Sequence, residues 1–210
     1  MLDVPKTKPA RRYRGESLAE RQAGRRLKLV EAGFRVFGST GYRNATVRQV
    51  CAEAGLTERY FYESFARKDD LFLAVYELVM VKIGEAMRAA IEAAAPDTKS
   101  KARALLGAYF GTIEGDPGLS RILLIDVLSV GPEKDYIYHD AMAAFTDLVR
   151  NGARELLPSR PMNLAQEEVF AAGIVGAIVH VAMRWVISNF ERPREEVMGG
   201  LIDLLLAASR

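Results

Sequence analysis

Hydrophobic positions recur along this chain at spacings of three and four residues, the period of an α-helix. The first series has four apolar members that we expect to form one buried stripe: Leu27, Val30, Phe34 and Phe37. Ser17 and Glu20 have the spacing of a capping box, in which each side chain satisfies a free backbone donor at a helix start. The first helix is therefore predicted to begin at Ser17 and to be stopped by Gly38 and Gly41.

Two shorter helices are predicted next. Thr46 and Gln49 form a second capping box, which opens a short helix that ends at Gly55. A third helix is predicted to begin with Thr57 as its N-cap and to extend to about Glu63.

A long fourth helix follows, marked by its apolar series: Leu71, Phe72, Val75, Leu78 and Val79. Asp69 and Asp70 lie in its first turn, where negative charge interacts favourably with the helix dipole. Pro96 and Asp97 are predicted to end it near Ala95.

Turn signals at 115–118, 131–132, 158–161 and 192–193 divide the chain from 100 to 208 into about five further helices. No window alternates with a period of two for long enough to suggest a sheet. The predicted fold class is therefore all-α.

The second and third predicted helices have the pattern of a helix-turn-helix. This motif needs a small residue where the helices cross, a glycine in the turn and apolar residues that join the pair. Cys51 is the small residue and Gly55 the turn glycine, and the joining residues are apolar: Val50, Ala54, Leu56 and Phe61. We expect Cys51 to be structural and not a catalytic thiol, because neither His139 nor His180 is near it in sequence.

Charge is distributed unevenly along the chain. Residues 1–68 contain 15 lysines and arginines against seven acidic residues, a net charge of +8, whereas the remainder contains 14 against 20, a net charge of −6. The basic part is where a polyanion would be expected to bind. A solvated tail and ordinary helix surfaces would give the same bias.

The stretch GLTERYFYESF, residues 55–65, combines four aromatic rings with three charges. With Phe61 and Phe65 turned inward, five side chains remain for the outer face of the third helix: Thr57, Arg59, Tyr60, Tyr62 and Ser64. Arginine can reach guanine O6 and N7 in a major groove, and hydroxyl groups can contact phosphates or base edges. On this DNA-binding interpretation, Glu58 either favours the helix dipole or accepts from a cytosine amine. Glu63 either points to solvent or pairs with an arginine.

An ordered series of motifs runs from about Arg25 to Glu77. A phenylalanine and a glycine end the first helix, Gly-Tyr precedes the second, a threonine opens it, a glycine forms the turn, Tyr-x-x-Phe closes the third helix and a lysine follows. The series resembles the DNA-binding domain of TetR/AcrR-type transcriptional regulators. The resemblance implies nine DNA-contacting residues: Tyr42, Thr46, Arg48, Thr57, Arg59, Tyr60, Tyr62, Ser64 and Lys68. Thr46 and Lys68 would hold phosphates, one at a helix N-terminus and the other as a point charge.

Three positions depart from the usual family pattern. Arg59 replaces a residue that is often glycine, Ser64 replaces a common histidine, and Arg67 replaces a serine that often caps the fourth helix. The base preference of the family therefore cannot be transferred to this chain. Residues 1–16 form a basic, flexible arm that either follows the minor groove or the backbone or is a tail without such a role.

The resemblance further implies two domains and a homodimer. Residues 17–68 would form the helix-turn-helix domain, and residues 69–210 a helical ligand-binding and dimerisation domain. The last two long helices, expected at about 163–189 and 193–208, would form a four-helix bundle with the partner. Five residues lie on one face of the first of them, four of them small: Ala172, Gly173, Gly176, Ala177 and His180. Small residues allow helices to approach closely, either at a dimer seam or within one subunit.

A small-molecule effector is also implied, in a cavity of the C-terminal domain. The candidate lining residues are aromatic or polar: Tyr109, Phe110, Asp126, Tyr136, Tyr138, His139, Phe145, His180, Arg184 and Trp185. A buried polar group needs a partner, which a ligand could supply. Intramolecular hydrogen bonds or the dimer interface could supply one equally well.

Other features narrow the class of protein. The N-terminal 15 residues lack the apolar stretch of a signal peptide, and the single cysteine requires no oxidising compartment. The apolar run from Val169 to Val179 is shorter than the roughly 18 residues of a membrane span, which predicts a cytoplasmic protein without a membrane partner. No catalytic, phosphate-binding or metal-ligand motif is present, so no enzyme activity, cofactor or metal is expected.

The predicted function is therefore that of a ligand-responsive transcriptional regulator. The protein is expected to act as a repressor and to bind a palindromic double-stranded DNA operator as a homodimer, through the helix that starts at Thr57. The alternative is a basic helical adaptor that binds acidic proteins and has no sequence-specific DNA binding.

Overall fold

The computed structural model describes residues 17–130, 139, 142, 143, 145–147, 150 and 162–208. Within them lie eight α-helices with defined bounds: α1 (Leu18–Thr40), α2 (Val47–Ala54), α3 (Glu58–Ser64), α4 (Lys68–Ala93), α5 (Thr98–Gly115), α6 (Pro117–Leu124), α7 (Leu164–Ile187) and α8 (Arg194–Ala208). A 3₁₀ helix spans Asp126–Ser129. No strand occurs in this part of the chain, and the predicted all-α class is confirmed. The predicted arm, the turns at 131–132 and 158–161, Tyr136 and Tyr138 lie outside the described residues.

Helix α1 begins as predicted and ends later than Gly38. The Glu20 N–H donates to Ser17 Oγ at 3.1 Å, and the Ser17 N–H donates to the Glu20 carboxylate. The helix continues through Gly38 to Thr40, and Gly41 ends it with a φ of 80°. Gly38 remains helical because it is a contact point: a Cβ there would lie 2.9 Å from the Cα of Gly118 in α6.

The buried face of α1 is rotated from the predicted stripe. Val30 and Phe37 are buried, but Leu27 is 57% exposed, so its predicted burial was wrong. The face that packs against the other helices instead runs through Leu29, Gly33 and Val36. Spacings of three and four residues fit either face, and the tertiary contacts decide between them.

The helix-turn-helix forms as its sequence predicts. The Gln49 N–H donates to Thr46 Oγ1 at 3.2 Å, which completes the second capping box. Gly55 has a φ of 63°, the left-handed conformation that lets the chain turn sharply between α2 and α3. Val50, Cys51 and Phe61 are buried at the crossing, which confirms their predicted structural roles.

Helix α4 joins the two parts of the molecule. It carries buried residues from Leu71 near its start to Met87 near its end. These residues belong to one continuous hydrophobic cluster that extends from α1 to α8. Helix α4 therefore packs both against the helix-turn-helix domain and against the C-terminal helices.

Helix α7 contains the apolar run from Val169 to Val179, which by its length was predicted to be too short for a membrane span. Of the helices that the structure describes, it is the one that is long and apolar enough to cross a membrane by length and composition. Only 33% of its most apolar window is buried within the chain. A core or interface helix of a water-soluble protein meets the same criteria. The apolar surface that α7 leaves exposed is therefore a candidate surface for contact with another molecule.

Candidate nucleic-acid interface

The third helix divides its side chains between the core and the outside. Phe61 and Phe65 are buried, whereas Thr57, Arg59 and Tyr62 are exposed. Tyr60 and Ser64 are partly exposed. The predicted inward turn of the two phenylalanine rings is confirmed, and α3 presents polar and aromatic side chains outward.

Thr57 occupies the N-cap position, but its side chain makes no capping hydrogen bond. Its hydroxyl group therefore remains available to an outside partner. Hydroxyl groups at such a position can donate to phosphate oxygens and fix the register of a helix on a duplex.

Arg59 forms an ion pair with Glu63 on α3, and 84% of the Arg59 side chain is exposed. Its Nε donates to Glu63 Oε1 at 3.1 Å. The second oxygen of Glu63 lies 3.5 Å from Arg25 Nη2. Of the two predicted alternatives for Glu63, the structure shows the arginine pairing.

Two arginines of α1 hold α3 in place. The Arg25 guanidinium lies 4.5 Å from the centre of the Tyr60 ring, and Arg26 lies 4.2 Å from that of Phe65. Arg26 also donates to the backbone oxygen of Ser64 at 3.1 Å, at the C-terminal end of α3. Sequence analysis missed these contacts, because the partners lie far apart in sequence, 38 residues in the case of Arg26 and Ser64. The only signal was the basic charge of α1.

Three exposed residues surround the start of α2. Thr46 and Arg48 were predicted to contact DNA and are both exposed. Arg43, in the loop between α1 and α2, is also exposed, although it was not among the residues predicted to contact DNA. The Thr46 hydroxyl serves the capping box.

Lys68 and Tyr42 are engaged within the protein. The Lys68 ammonium donates to the backbone oxygens of Tyr42 at 2.7 Å and Ala45 at 2.8 Å, and burial lowers its pKa. The Tyr42 ring is buried, and its hydroxyl donates to Asp69. Burial and this carboxylate raise the pKa of Tyr42. Through these contacts both residues fix the loop that carries Arg43 and Thr46. The predicted DNA contacts of Lys68 and Tyr42 stay predictions.

Asp126 connects this loop to the C-terminal helices. Its carboxylate accepts from the Tyr42 N–H at 2.9 Å and lies 3.7 Å from Arg121 Nε. Asp126 is 4% exposed. The carboxylate thus joins the two parts of the fold, and its predicted contact with an effector stays a prediction.

Two of the cavities in the C-terminal part of the described structure have volumes of about 20 and 40 Å³. Tyr109, Phe145 and Val179 line both. The remaining lining is almost wholly aliphatic or methionine, and most of it comes from α4, α5, α6 and α7. Tyr109 and Phe145, two of the predicted lining residues, thus lie at these cavities, and their contact with an effector stays a prediction.

The other predicted effector residues lie elsewhere. Phe110 is buried against Trp185, at 5.6 Å between ring centres, and Trp185 Nε1 donates to the Arg192 backbone oxygen at 2.7 Å. His139, His180 and Arg184 are exposed. The predicted contacts of these residues with a ligand stay predictions.

The small residues of α7 lie on an open face. Ala172, Gly173, Gly176 and His180 are exposed, and Ala177 is partly exposed. In the described structure, a Cβ added at Gly173 or Gly176 would have no neighbour within 4 Å. Within the described residues this open face fits a dimer seam better than close packing within one subunit, and the seam stays a prediction. The same helix also exposes 73% of Val169 and 68% of Ile187.

Comparisons with known proteins agree with this geometry. Residues 29–75 match the family described as bacterial regulatory proteins, tetR family. The chain is 27% identical over 174 residues to the HTH-type transcriptional activator FasR of Mycolicibacterium smegmatis, covering 80% of this chain and 74% of that protein. It is 18% identical over 189 residues to the fatty acid metabolism regulator protein of Bacillus subtilis, covering 86% and 93%.

Solved structures show the same fold. The transcriptional regulator FadR of Bacillus subtilis, solved in complex with stearoyl-CoA, superposes with a TM-score of 0.74 at 17% identity, covering 87% of this chain and 98% of that chain. A helix-turn-helix with an open third helix, attached to a larger helical domain, defines a DNA-binding transcriptional regulator. Residues 29–75, which contain this helix-turn-helix, match the tetR family, and this match confirms the resemblance drawn from the N-terminal motifs.

Proposed function

We propose that this protein is a ligand-responsive repressor that binds a palindromic operator as a homodimer in the cytoplasm. Residues 17–68 would contact DNA through α3, and residues 69–210 would bind the effector and form the dimer. The observation that carries the proposal is the open outer face of α3, where Arg59 and Tyr62 are exposed while Phe61 and Phe65 anchor the helix in the core.

The dimer is supported by the surface of α7. An apolar helix face that includes Gly173, Gly176 and Ile187 is open to solvent in one subunit. Contiguous exposed apolar surface of this kind marks an interaction site, and glycines allow a second helix to approach closely. A two-fold dimer would place its recognition helices about 34 to 36 Å apart, which matches successive major grooves on one side of a duplex.

The proposed effector is a long-chain fatty acyl thioester. The Bacillus subtilis relative is named a fatty acid metabolism regulator, and the FadR structure contains stearoyl-CoA. In this chain, the apolar lining around Tyr109, Phe145 and Val179 suits an acyl chain.

The size of the cavities suggests how an effector would act. Volumes of about 20 and 40 Å³ hold about one to three water molecules, so an acyl chain that enters at either of these two cavities would have to separate the surrounding helices. Met87 of α4 lines one cavity and Tyr76 of α4 lines the other. A ligand that prefers the separated arrangement would displace α4, alter the spacing of the recognition helices and shift the protein away from the DNA-binding state.

Binding to a randomised duplex library, followed by affinity measurements across salt, tests DNA recognition. Recognition predicts a selected palindrome that survives competitor DNA, and a log–log salt slope of about −0.9 per phosphate contact. The alternative, a basic adaptor for acidic proteins, predicts no preference among duplexes.

Addition of stearoyl-CoA to the selected complex tests the effector. Release of the duplex by stearoyl-CoA, with no effect of coenzyme A alone, is expected. Unchanged operator affinity would contradict this effector class, and a reporter gene behind the selected operator distinguishes repression from the activation for which the Mycolicibacterium relative is named.

A further inference from the structure

Glu63 lies between two arginines that come from different helices. Its Oε1 accepts from Arg59 Nε at 3.1 Å, and its Oε2 lies 3.5 Å from Arg25 Nη2. Arg25 is itself held over the Tyr60 ring at 4.5 Å and is only 22% exposed. The Glu63 carboxylate is therefore held by Arg25 of α1 through one oxygen, and through the other it holds the exposed guanidinium of Arg59.

The atom through which Arg59 is held determines what remains free. Glu63 engages Nε, so the two terminal nitrogens of Arg59 are left for an outside ligand. Guanine presents O6 and N7 in the major groove as a pair of acceptors that matches two guanidinium nitrogens. A guanidinium held in advance also loses less side-chain freedom when it binds than an unrestrained one.

We propose that Glu63 is a positioning residue for base recognition, which presents Arg59 to guanine and keeps it from settling on a phosphate. This inference rests on the proposed DNA-binding function of α3. The proposal explains why an acidic residue lies on a helix that binds DNA. An unpaired carboxylate would be repelled by the phosphates, but this one is paired with two arginines.

The proposal predicts that removal of Glu63 changes non-specific DNA affinity and base discrimination in opposite directions. Glu63 places a negative charge near the duplex, so its removal strengthens binding to non-specific DNA, which depends on phosphate contacts. The same removal releases Arg59, so discrimination at its guanine declines. A purely structural role for Glu63 would instead weaken specific and non-specific binding together.

Dissociation constants test this on the duplex that the wild-type protein selects from a random library, on its single-base variants and on unrelated DNA. For Glu63→Ala, preference for the guanine read by Arg59 is expected to fall roughly tenfold, the scale of one bidentate base contact. Glu63→Gln keeps an oxygen that can accept from Arg59 Nε and should retain most of the preference, while binding non-specific DNA more tightly than wild type.

Glu31→Ala is the matched control, because it removes the same charge from an exposed position on α1 to which no DNA contact is assigned. It should leave the guanine preference unchanged. In an Arg59→Ala background, Glu63→Ala should cause no further loss of preference. Unchanged discrimination by Glu63→Ala, an equal loss of specific and non-specific affinity, or a further loss without Arg59 would each overturn the proposal.

One measurement needs no variant of Glu63. In the wild-type protein, the Arg59 Nε–H should exchange with water more slowly than that of Arg48, an exposed arginine on α2. Equally fast exchange would overturn the inference even if Glu63→Ala did not fold. Failure of the wild-type protein to select any sequence would instead refute the proposed function itself.

Discussion

The Tyr42 N–H donates a hydrogen bond to the Asp126 carboxylate at 2.9 Å, across 84 residues of sequence. The donor belongs to the loop before α2, and the acceptor begins the 3₁₀ helix after α6. Because Lys68 holds the backbone oxygen of the same tyrosine, this loop is fixed from both sides. The relative position of α2 and α6 is thus set by a few buried polar contacts.

Replacing Asp126 is expected to destabilise the protein. Asp126→Ala leaves the Tyr42 N–H without its acceptor and removes the charge that faces Arg121. A buried unsatisfied donor costs about 1–3 kcal/mol of stability. Asp126→Asn keeps an acceptor oxygen and should lose less. Urea unfolding of the three proteins provides the test, and equal stability of wild type and Asp126→Ala would show that the contact contributes nothing.

Features that depend on neighbouring residues could be predicted from the sequence. Both capping boxes and the turn at Gly55 involve groups within a few positions of one another, so their geometry is contained in the local sequence. The contacts of Arg25 with Glu63 and of Tyr42 with Asp126 could not be predicted, because 38 and 84 residues separate the partners. Tyr109 and Phe145 were named from the sequence as lining residues, but the aliphatic residues beside them were not, because the search was for polar and aromatic side chains.

Two glycines of α1 should respond oppositely to the same substitution. A Cβ at Gly38 would lie 2.9 Å from the Gly118 Cα, whereas one at Gly24 would meet nothing within 4 Å. Gly24→Ala should raise stability by up to about 1 kcal/mol, since alanine is the better helix former. Gly38→Ala should lower the melting temperature, because the contact is with backbone that cannot rotate away; an increase would mean that α6 moves aside at little cost.

The thiol of Cys51 should make stability depend on alkaline pH. Burial, and then the charge of Glu58, raise the pKa of Cys51 above its ordinary value. The unfolded chain therefore loses the thiol proton at lower pH than the folded protein. This contribution to stability is fully present below the thiol pKa of the unfolded chain, about 8.5, and declines as the pH rises from there through the folded pKa.

Cys51→Ala removes this titration and should flatten that part of the stability profile. Unfolding free energies measured at intervals between pH 8 and 10, on wild type and variant, give the comparison. The variant also loses packing, so the diagnostic quantity is the difference in slope and not in absolute stability. Parallel profiles would contradict the prediction.

A bulky residue at Gly176 should prevent dimerisation without unfolding the subunit. No described atom lies within 4 Å of a Cβ at that position, so Gly176→Leu has room in the monomer. A second α7 packed closely against this face would collide with the new side chain. Sedimentation velocity should show a shift to monomer. Gly84→Leu, at an equally open position on α4, is the control and should leave the oligomeric state unchanged.

Filling the cavities should separate effector response from DNA binding. Val179 lines both cavities from α7, and Val179→Phe would occupy the space into which an acyl chain is proposed to enter. The variant should bind the selected duplex with nearly wild-type affinity, because α3 is distant in the fold, but should not release it on addition of stearoyl-CoA. Val81→Phe adds the same bulk at a residue of α4 that is 55% exposed, and its response should remain normal. If Val179→Phe still releases the duplex with stearoyl-CoA as readily as wild type, the acyl chain binds elsewhere.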